Sequence, residues 1–254
     1  MLLKDFKKDK LSVRVFDNRT AMGEDSAAAF AKVLREMLAK KDAVNIIFAA
    51  APSQSDFLAA LEREADIDWK RVNVFHMDEY IGIGNDHPQS FARFVKTFVA
   101  DRFAVGAFYP LQGNAPDAEA ECARYTALLQ RSPTDIVCMG IGENGHIAFN
   151  DPWVADLDDP KAVKVVELDA MCRQQQVNDG CFATIGDVPT HAMTLTVPTL
   201  VRAPYLFCIV PALTKAEAVY ETLNGSIDEH CPASILRLHD NAVLYLDNES
   251  SKLL

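Results

Sequence analysis

Asp78, Glu79 and His146 are the residues whose types and settings best suit chemistry. The two carboxylates lie in His76-Met77-Asp78-Glu79-Tyr80, directly after the strand-like run Arg71 to Phe75. His146 follows three glycines, Gly140, Gly142 and Gly145, in the stretch DIVCMGIGENGHIAFNDP from Asp135 to Pro152. Adjacent carboxylates at a strand end and a histidine on a glycine loop can divide general-base and general-acid work between them. Taken singly, a turn-capping aspartate and a backbone-bonded histidine are the plainer readings. The glycine setting favours function for His146, because a bend only glycine adopts easily holds it just past a buried strand.

Lys215 is a second candidate. It follows the strand Tyr205 to Val210 and the turn Pro211-Ala212-Leu213-Thr214, which puts a cation in the first turn of a helix. That placement suits an anion bound at the helix N-terminus, although an ordinary solvated lysine fits the position equally well. His76, Asp78 and Asp151 could be combined into a metal site. The six histidines (His76, His87, His146, His191, His230 and His239) form no tight ligand pair, and no metal is expected. GIGENG also satisfies the dinucleotide fingerprint, with Glu167 as the ribose-binding acid. The fingerprint needs a helix starting inside the glycine turn, and Pro152 and Pro160 break up the stretch where it would run.

These residues need a scaffold, and the rest of the chain supplies one. Asp135 to Met139 and Val44 to Ala50 read as buried strands, and Leu11 to Phe16 alternates as a half-buried one. Ala162 to Leu168, His191 to Leu195, Tyr205 to Val210 and Ala242 to Leu246 are further strands. Helices are expected over Glu24 to Lys41, Asp56 to Arg63, Ala118 to Leu129, Thr214 to Leu223 and Ala233 to Leu238. Pro88 to Phe103 carries Phe91, Phe94, Val95, Phe98 and Val99 at helical spacing, an apolar stripe that packs on a core. Alternating helices and strands specify an α/β fold, a three-layer α/β/α sandwich with a mostly parallel sheet. No linker or repeat divides the 254 residues, so residues 1–254 read as one domain.

Composition narrows the function classes. Hydrophobic residues make up 49%, enough for a sizeable core, and the net charge of −11 disfavours a nucleic-acid partner. Cys122, Cys138, Cys172, Cys181, Cys208 and Cys231 form no C-x-x-C pair and read as free thiols in a reducing compartment. The charged start MLLKDFKKDK is no secretory signal and no stretch is apolar enough to span a membrane. A cytoplasmic protein is expected, with its oligomeric state open.

FHMDEYIG at 75–82, His87-Pro88-Gln89-Ser90-Phe91, Leu111-Gln112-Gly113-Asn114-Ala115 and GIGENGHIAFNDP at 140–152 resemble the signature blocks of the glucosamine-6-phosphate deaminases, also called isomerases. The similarity reaches His191 to Leu200, Lys215 and Pro232-Ala233-Ser234. In the related 6-phosphogluconolactonases, the glycine–histidine block is not followed by Ile-Ala-Phe-Asn. The resemblance implies that Asp78 moves a proton between C2 and C1 of an opened amino sugar and that His146 opens the ring. Asn144 and Asp151 then stand where flanking groups orient and charge-tune the histidine, and Glu79 and Gly145 fall among substrate-contacting positions. The implied reaction turns glucosamine 6-phosphate and water into fructose 6-phosphate and ammonia, with no cofactor. Four features depart from the family pattern: Asn144 stands where the family often has aspartate, and Asp151 where many members have glutamate. The phosphate loop reads Ala51-Pro52-Ser53-Gln54-Ser55, and Gln176 stands where a phosphate-binding arginine is expected. Lys215 is therefore expected to carry most of the phosphate charge, with donors from Ser53 and Ser55 and with Arg173, one helical turn before Gln176, as a substitute arginine. The rival readings are a lactonase and, from another class, a sugar-phosphate sensor domain.

Overall fold

The parallel strands form in short runs rich in branched and aromatic residues. In a computed structural model describing residues 1–178 and 180–254, eleven strands and eight α-helices are assigned among the described residues. The chain runs β1 (Leu2–Lys8), β2 (Leu11–Phe16), α1 (Arg19–Leu38), β3 (Val44–Phe48), α2 (Ser55–Leu61), β4 (Val72–His76) and β5 (Asp78–Tyr80). It continues with α3 (Phe91–Val95), α4 (Asp101–Phe103), β6 (Ala107–Tyr109), α5 (Ala118–Arg131), β7 (Ile136–Met139), β8 (Val163–Glu167) and α6 (Ala170–Asn178). The last elements are β9 (His191–Leu195), α7 (Val197–Val201), β10 (Tyr205–Val210), α8 (Ala216–Asn224) and β11 (Ala242–Leu246).

Eight strands make the central sheet in the order β1-β2-β11-β10-β7-β3-β4-β6. All neighbours are parallel except the edge pair β1–β2. Strand alternation sends side chains to opposite faces. Ile47, Phe75, Val137 and Cys208 pack in one core with α5 and α8. Ile46, Val74, Cys138 and Phe207 pack in the other with α1 and α2. Helices therefore cover both faces, the three-layer arrangement expected from the alternating elements. From β3 the sheet grows one way through β4 and β6, and from β7 the other way through β10, β11 and β2. The loops leaving β3 and β7 diverge at this switch point and open a crevice at the carboxyl ends of the strands.

A second, three-stranded antiparallel sheet, β5-β9-β8, stands beside the first and was not expected from the sequence. It takes the chain away from β4 and carries Asp78 opposite Thr194. β1 was also unexpected, because its burial is almost nil along its length and it has no apolar face to betray it. The stripe from Pro88 is helical only from Phe91 and contains a π turn over Lys96–Ala100. Val95 and Val99 reach the core, whereas Phe98 stays 41% exposed. α1 starts at Arg19, five residues before the expected Glu24, because the Asn18 side chain caps it by accepting from the Ala21 N–H at 2.8 Å.

Candidate active site

The crevice is a cleft of about 280 Å³. Asp78, His146, Ser53 and Lys215 all line it, so four expected residues from four separate stretches are brought together. Ala49 to Ser53 arrive from β3, Gly140 to Gly142 from β7, and Pro211 to Lys215 from β10, each just past a strand end.

His146 is held by its own loop. The Gly142 N–H donates to the His146 carbonyl at 2.9 Å, and the Gly145 N–H to the Gly142 carbonyl at 3.1 Å. A Cβ on Gly142 would lie 2.0–2.3 Å from three atoms of the imidazole, so the ring packs on bare backbone. Gly145 has φ +83°, and a Cβ there would meet Cys231 Sγ at 2.6 Å. Gly145 thus shapes the loop from behind and lies outside the cleft lining.

Nδ1 of His146 is 2.7 Å from Asn144 Oδ1 and 3.0 Å from Asp151 Oδ1. Asn144 Nδ2 donates to that same Asp151 oxygen at 2.9 Å, which fixes the amide with its oxygen toward the ring. Both groups facing Nδ1 are acceptors, so Nδ1 carries the proton and a neutral ring keeps its lone pair on Nε2. Burial pushes the Asp151 carboxyl up, but bonds and charge from His146, with Asn144 and Cys172, outweigh it and hold the carboxyl below its usual range. An ionised Asp151 holds the Nδ1 proton in place and so fixes the tautomer of His146. The donor atoms of His146, Asp151 and Cys172 lie within 4.8 Å of one another and are of zinc-binding types. Metal binding and proton transfer would compete there, because Nδ1 is the nitrogen already directed at Asn144 and Asp151.

Asp78 and Glu79 are neighbours with different surroundings. Asp78 lines the cleft yet is only 7% exposed. Burial, with the Glu79 charge beside it, raises its carboxyl well above the usual range. Glu79 points away, fully buried, and accepts from Ser90 Oγ at 2.6 Å and from the N–H groups of Ala92, Phe91 and Tyr80 at 2.9–3.1 Å. Its carboxylate anchors the start of α3, and it does not line the cleft. Burial raises its carboxyl as well, against those four bonds.

Arg173 does not take the expected role. Its Nη2 donates to the carbonyls of Ile185 and Val188 at 2.6 and 2.9 Å, and it does not line the cleft. Gln176 does line it, from α6. Ser55 opens α2 and is likewise absent from the lining. Arg19, which the sequence reading passed over, does line it. Its signal was the one that marked Lys215: a cation in the first turn of a helix.

His76 is fully buried, and both ring nitrogens are engaged. The Leu111 N–H donates to Nε2 at 2.9 Å, so Nδ1 bears the proton and donates to the Asp78 carbonyl at 2.9 Å. It is thus no metal ligand, and it clamps the backbone of Asp78. Burial lowers its pKa to about 4, against the bond to Asp78. With the folded value below the ordinary one, the unfolded chain binds the extra proton. Stability is full above about pH 6.5 and falls as pH drops toward 4, by about 3 kcal/mol from this residue. Urea unfolding of wild type and His76→Asn across that window checks this. The variant should show the shallower decline, and parallel curves would reject it.

No disulfide joins any two of the six cysteines, and Cys181 alone among them is partly exposed. Among the described residues no helix is long and apolar enough to cross a membrane. After Met139 no α-helix begins before Ala170, so the dinucleotide fingerprint lacks its helix.

The family model described as glucosamine-6-phosphate isomerases/6-phosphogluconolactonase matches residues 17–245. A glucosamine-6-phosphate deaminase from Listeria innocua is 36% identical over 211 residues, covering 83% of this chain and 88% of the relative. One from Bacillus cereus is 33% identical over 230 residues, covering 91% and 86%. A solved monomeric glucosamine-6-phosphate deaminase superposes with a TM-score of 0.86 at 28% identity, covering 95% of this chain and 99% of that one. The 6-phosphogluconolactonase of Thermotoga maritima shares the fold, with a TM-score of 0.76 at 17% identity over 94% and 100% of the two chains. With the cleft, the glycine-held histidine and these matches, the chain belongs to the glucosamine-6-phosphate isomerase/6-phosphogluconolactonase family.

Proposed function

We propose that the protein is a glucosamine-6-phosphate deaminase, converting glucosamine 6-phosphate and water to fructose 6-phosphate and ammonia. The observation that carries this reading is a buried carboxylate, Asp78, sharing one small cleft with a histidine whose free lone pair is on Nε2. His146 takes the proton of the C1 hydroxyl and returns it to the ring oxygen, which opens the sugar. Asp78 then removes the C2 proton of the open aldose and delivers it to C1, while the C1 oxygen gains the proton that the amino nitrogen gives up. This leaves an imine at C2, water adds there, and ammonia departs with the ketose phosphate formed. Each step needs a group that gives and takes one proton, and neither requires a redox partner.

The deaminase relatives at 33–36% identity support this choice over lactone hydrolysis. Ammonia release and ketose-phosphate formation, measured together with glucosamine 6-phosphate, are expected in equal amounts. Hydrolysis of 6-phosphogluconolactone without ammonia release would replace the reading with the lactonase one. Tight substrate binding with no turnover of either compound would favour a sensor.

A further inference from the structure

We infer that Arg19 is a phosphate-binding residue of the cleft, supplying with Lys215 the positive charge that holds the substrate's phosphate. This rests on the deaminase reading for the identity of the sugar, but not for the anion. Arg19 and Lys215 are the arginine and lysine side chains that line the cleft among the described residues. The arginine expected from α6 is replaced there by Gln176, and Arg173 spends its guanidinium on the carbonyls of Ile185 and Val188.

The placement of Arg19 favours a bound anion. Arg19 is the first residue of the twenty-residue α1, and Lys215 directly precedes α8. Helix N-termini carry partial positive charge, so a cation there is repelled unless an anion lies between. Arg19, at the first position of α1, lines the cleft, and a bound oxyanion there offsets both its charge and that of the helix end.

Asp56 relieves only part of this. Its Oδ2 accepts from Nε of Arg19 at 2.9 Å and lies 2.9 Å from Nη2, which donates to the Pro52 carbonyl at 3.3 Å. Nη1 makes no hydrogen bond among the described residues, and the Arg19 side chain is 42% exposed. One edge of the fork is thus fixed by Asp56 and the backbone, while the other stays available to an incoming oxyanion. The Asp56 carboxylate is turned onto Arg19, so its negative charge is compensated beside the cleft. Ser53, beside this pair, adds a hydroxyl to the same rim.

Two measurements test this on the full-length protein. The first is steady-state kinetics with glucosamine 6-phosphate and unphosphorylated glucosamine. Arg19→Gln is expected to raise KM for the phosphorylated sugar about 10- to 100-fold, with kcat within a few-fold and no change for glucosamine. Arg19→Lys should recover part of the loss. The second is calorimetric binding of inorganic phosphate, which Arg19→Gln should weaken about 10-fold. Arg19-dependent phosphate binding without ammonia release would uphold this site and sink the deaminase reading. Equal KM shifts for both sugars, or phosphate affinity unaltered by Arg19→Gln, would overturn the assignment. Wild-type protein that binds no phosphate would overturn it as well.

Discussion

Asp78→Asn is expected to lower kcat by about 10²- to 10⁴-fold, leave KM within a few-fold, and raise thermal stability. The amide matches the carboxyl in size but cannot accept the C2 proton, so the loss falls on the chemical step. The stability gain follows from the raised pKa of Asp78. In the unfolded chain the carboxyl ionises near its ordinary value, while in the fold burial and Glu79 oppose ionisation. The unfolded state therefore releases its proton first as pH rises. The folded state is penalised increasingly from the ordinary value up to the raised one, and fully beyond it. Asparagine carries no such penalty, so the gain should appear near neutral pH and shrink toward pH 4. The same shift predicts that wild-type activity falls on acidification well before an ordinary aspartate would protonate. Melting curves beside steady-state rates check all of this. A near wild-type kcat would remove Asp78 from the mechanism, and a rate loss accompanied by a lower melting point would mark it as structural.

His146→Gln carries the second large effect. Nδ1 faces Asn144 and Asp151, so proton exchange with the sugar falls to Nε2. Glutamine can mimic a hydrogen bond to Asn144 but cannot give and take a proton near neutral pH. Turnover of the cyclic sugar phosphate should drop about 10²- to 10⁴-fold. An open-chain ketose analogue assayed with ammonia in the reverse direction should lose far less, because no ring has to open. Equal losses in the two assays would assign His146 to scaffolding.

The parts of this fold that could be read from the sequence are those where composition dictates one answer. Ile136–Met139 is buried on every residue and could only be an interior strand. The β1 edge could not be read, since strand pairing there depends on β2 and not on an apolar face. At the site, Asp78 and His146 announced themselves by strand ends and glycines. Glu79 was misplaced because adjacency in sequence suggested shared work, whereas strand alternation turned its carboxylate away to the start of α3. Arg173 was misjudged for want of the carbonyls of Ile185 and Val188, which nothing local foretells. Arg19 was missed because the helix was started at Glu24, leaving the arginine in an apparent loop. A cap at Asn18 moves it to the first turn, where its charge becomes conspicuous.

The glycine beneath His146 has a consequence for how the sequence can drift. A methyl group at Gly142 would lie 2.0–2.3 Å from the imidazole, so even alanine displaces the ring. At Gly186 the nearest atom to such a methyl is 3.6 Å away, an ordinary contact, and alanine fits there without displacement. Gly142 and His146 are therefore expected to be inherited as a pair. A lineage that abandons the histidine's chemistry releases both positions at once, and one that keeps it can surrender neither.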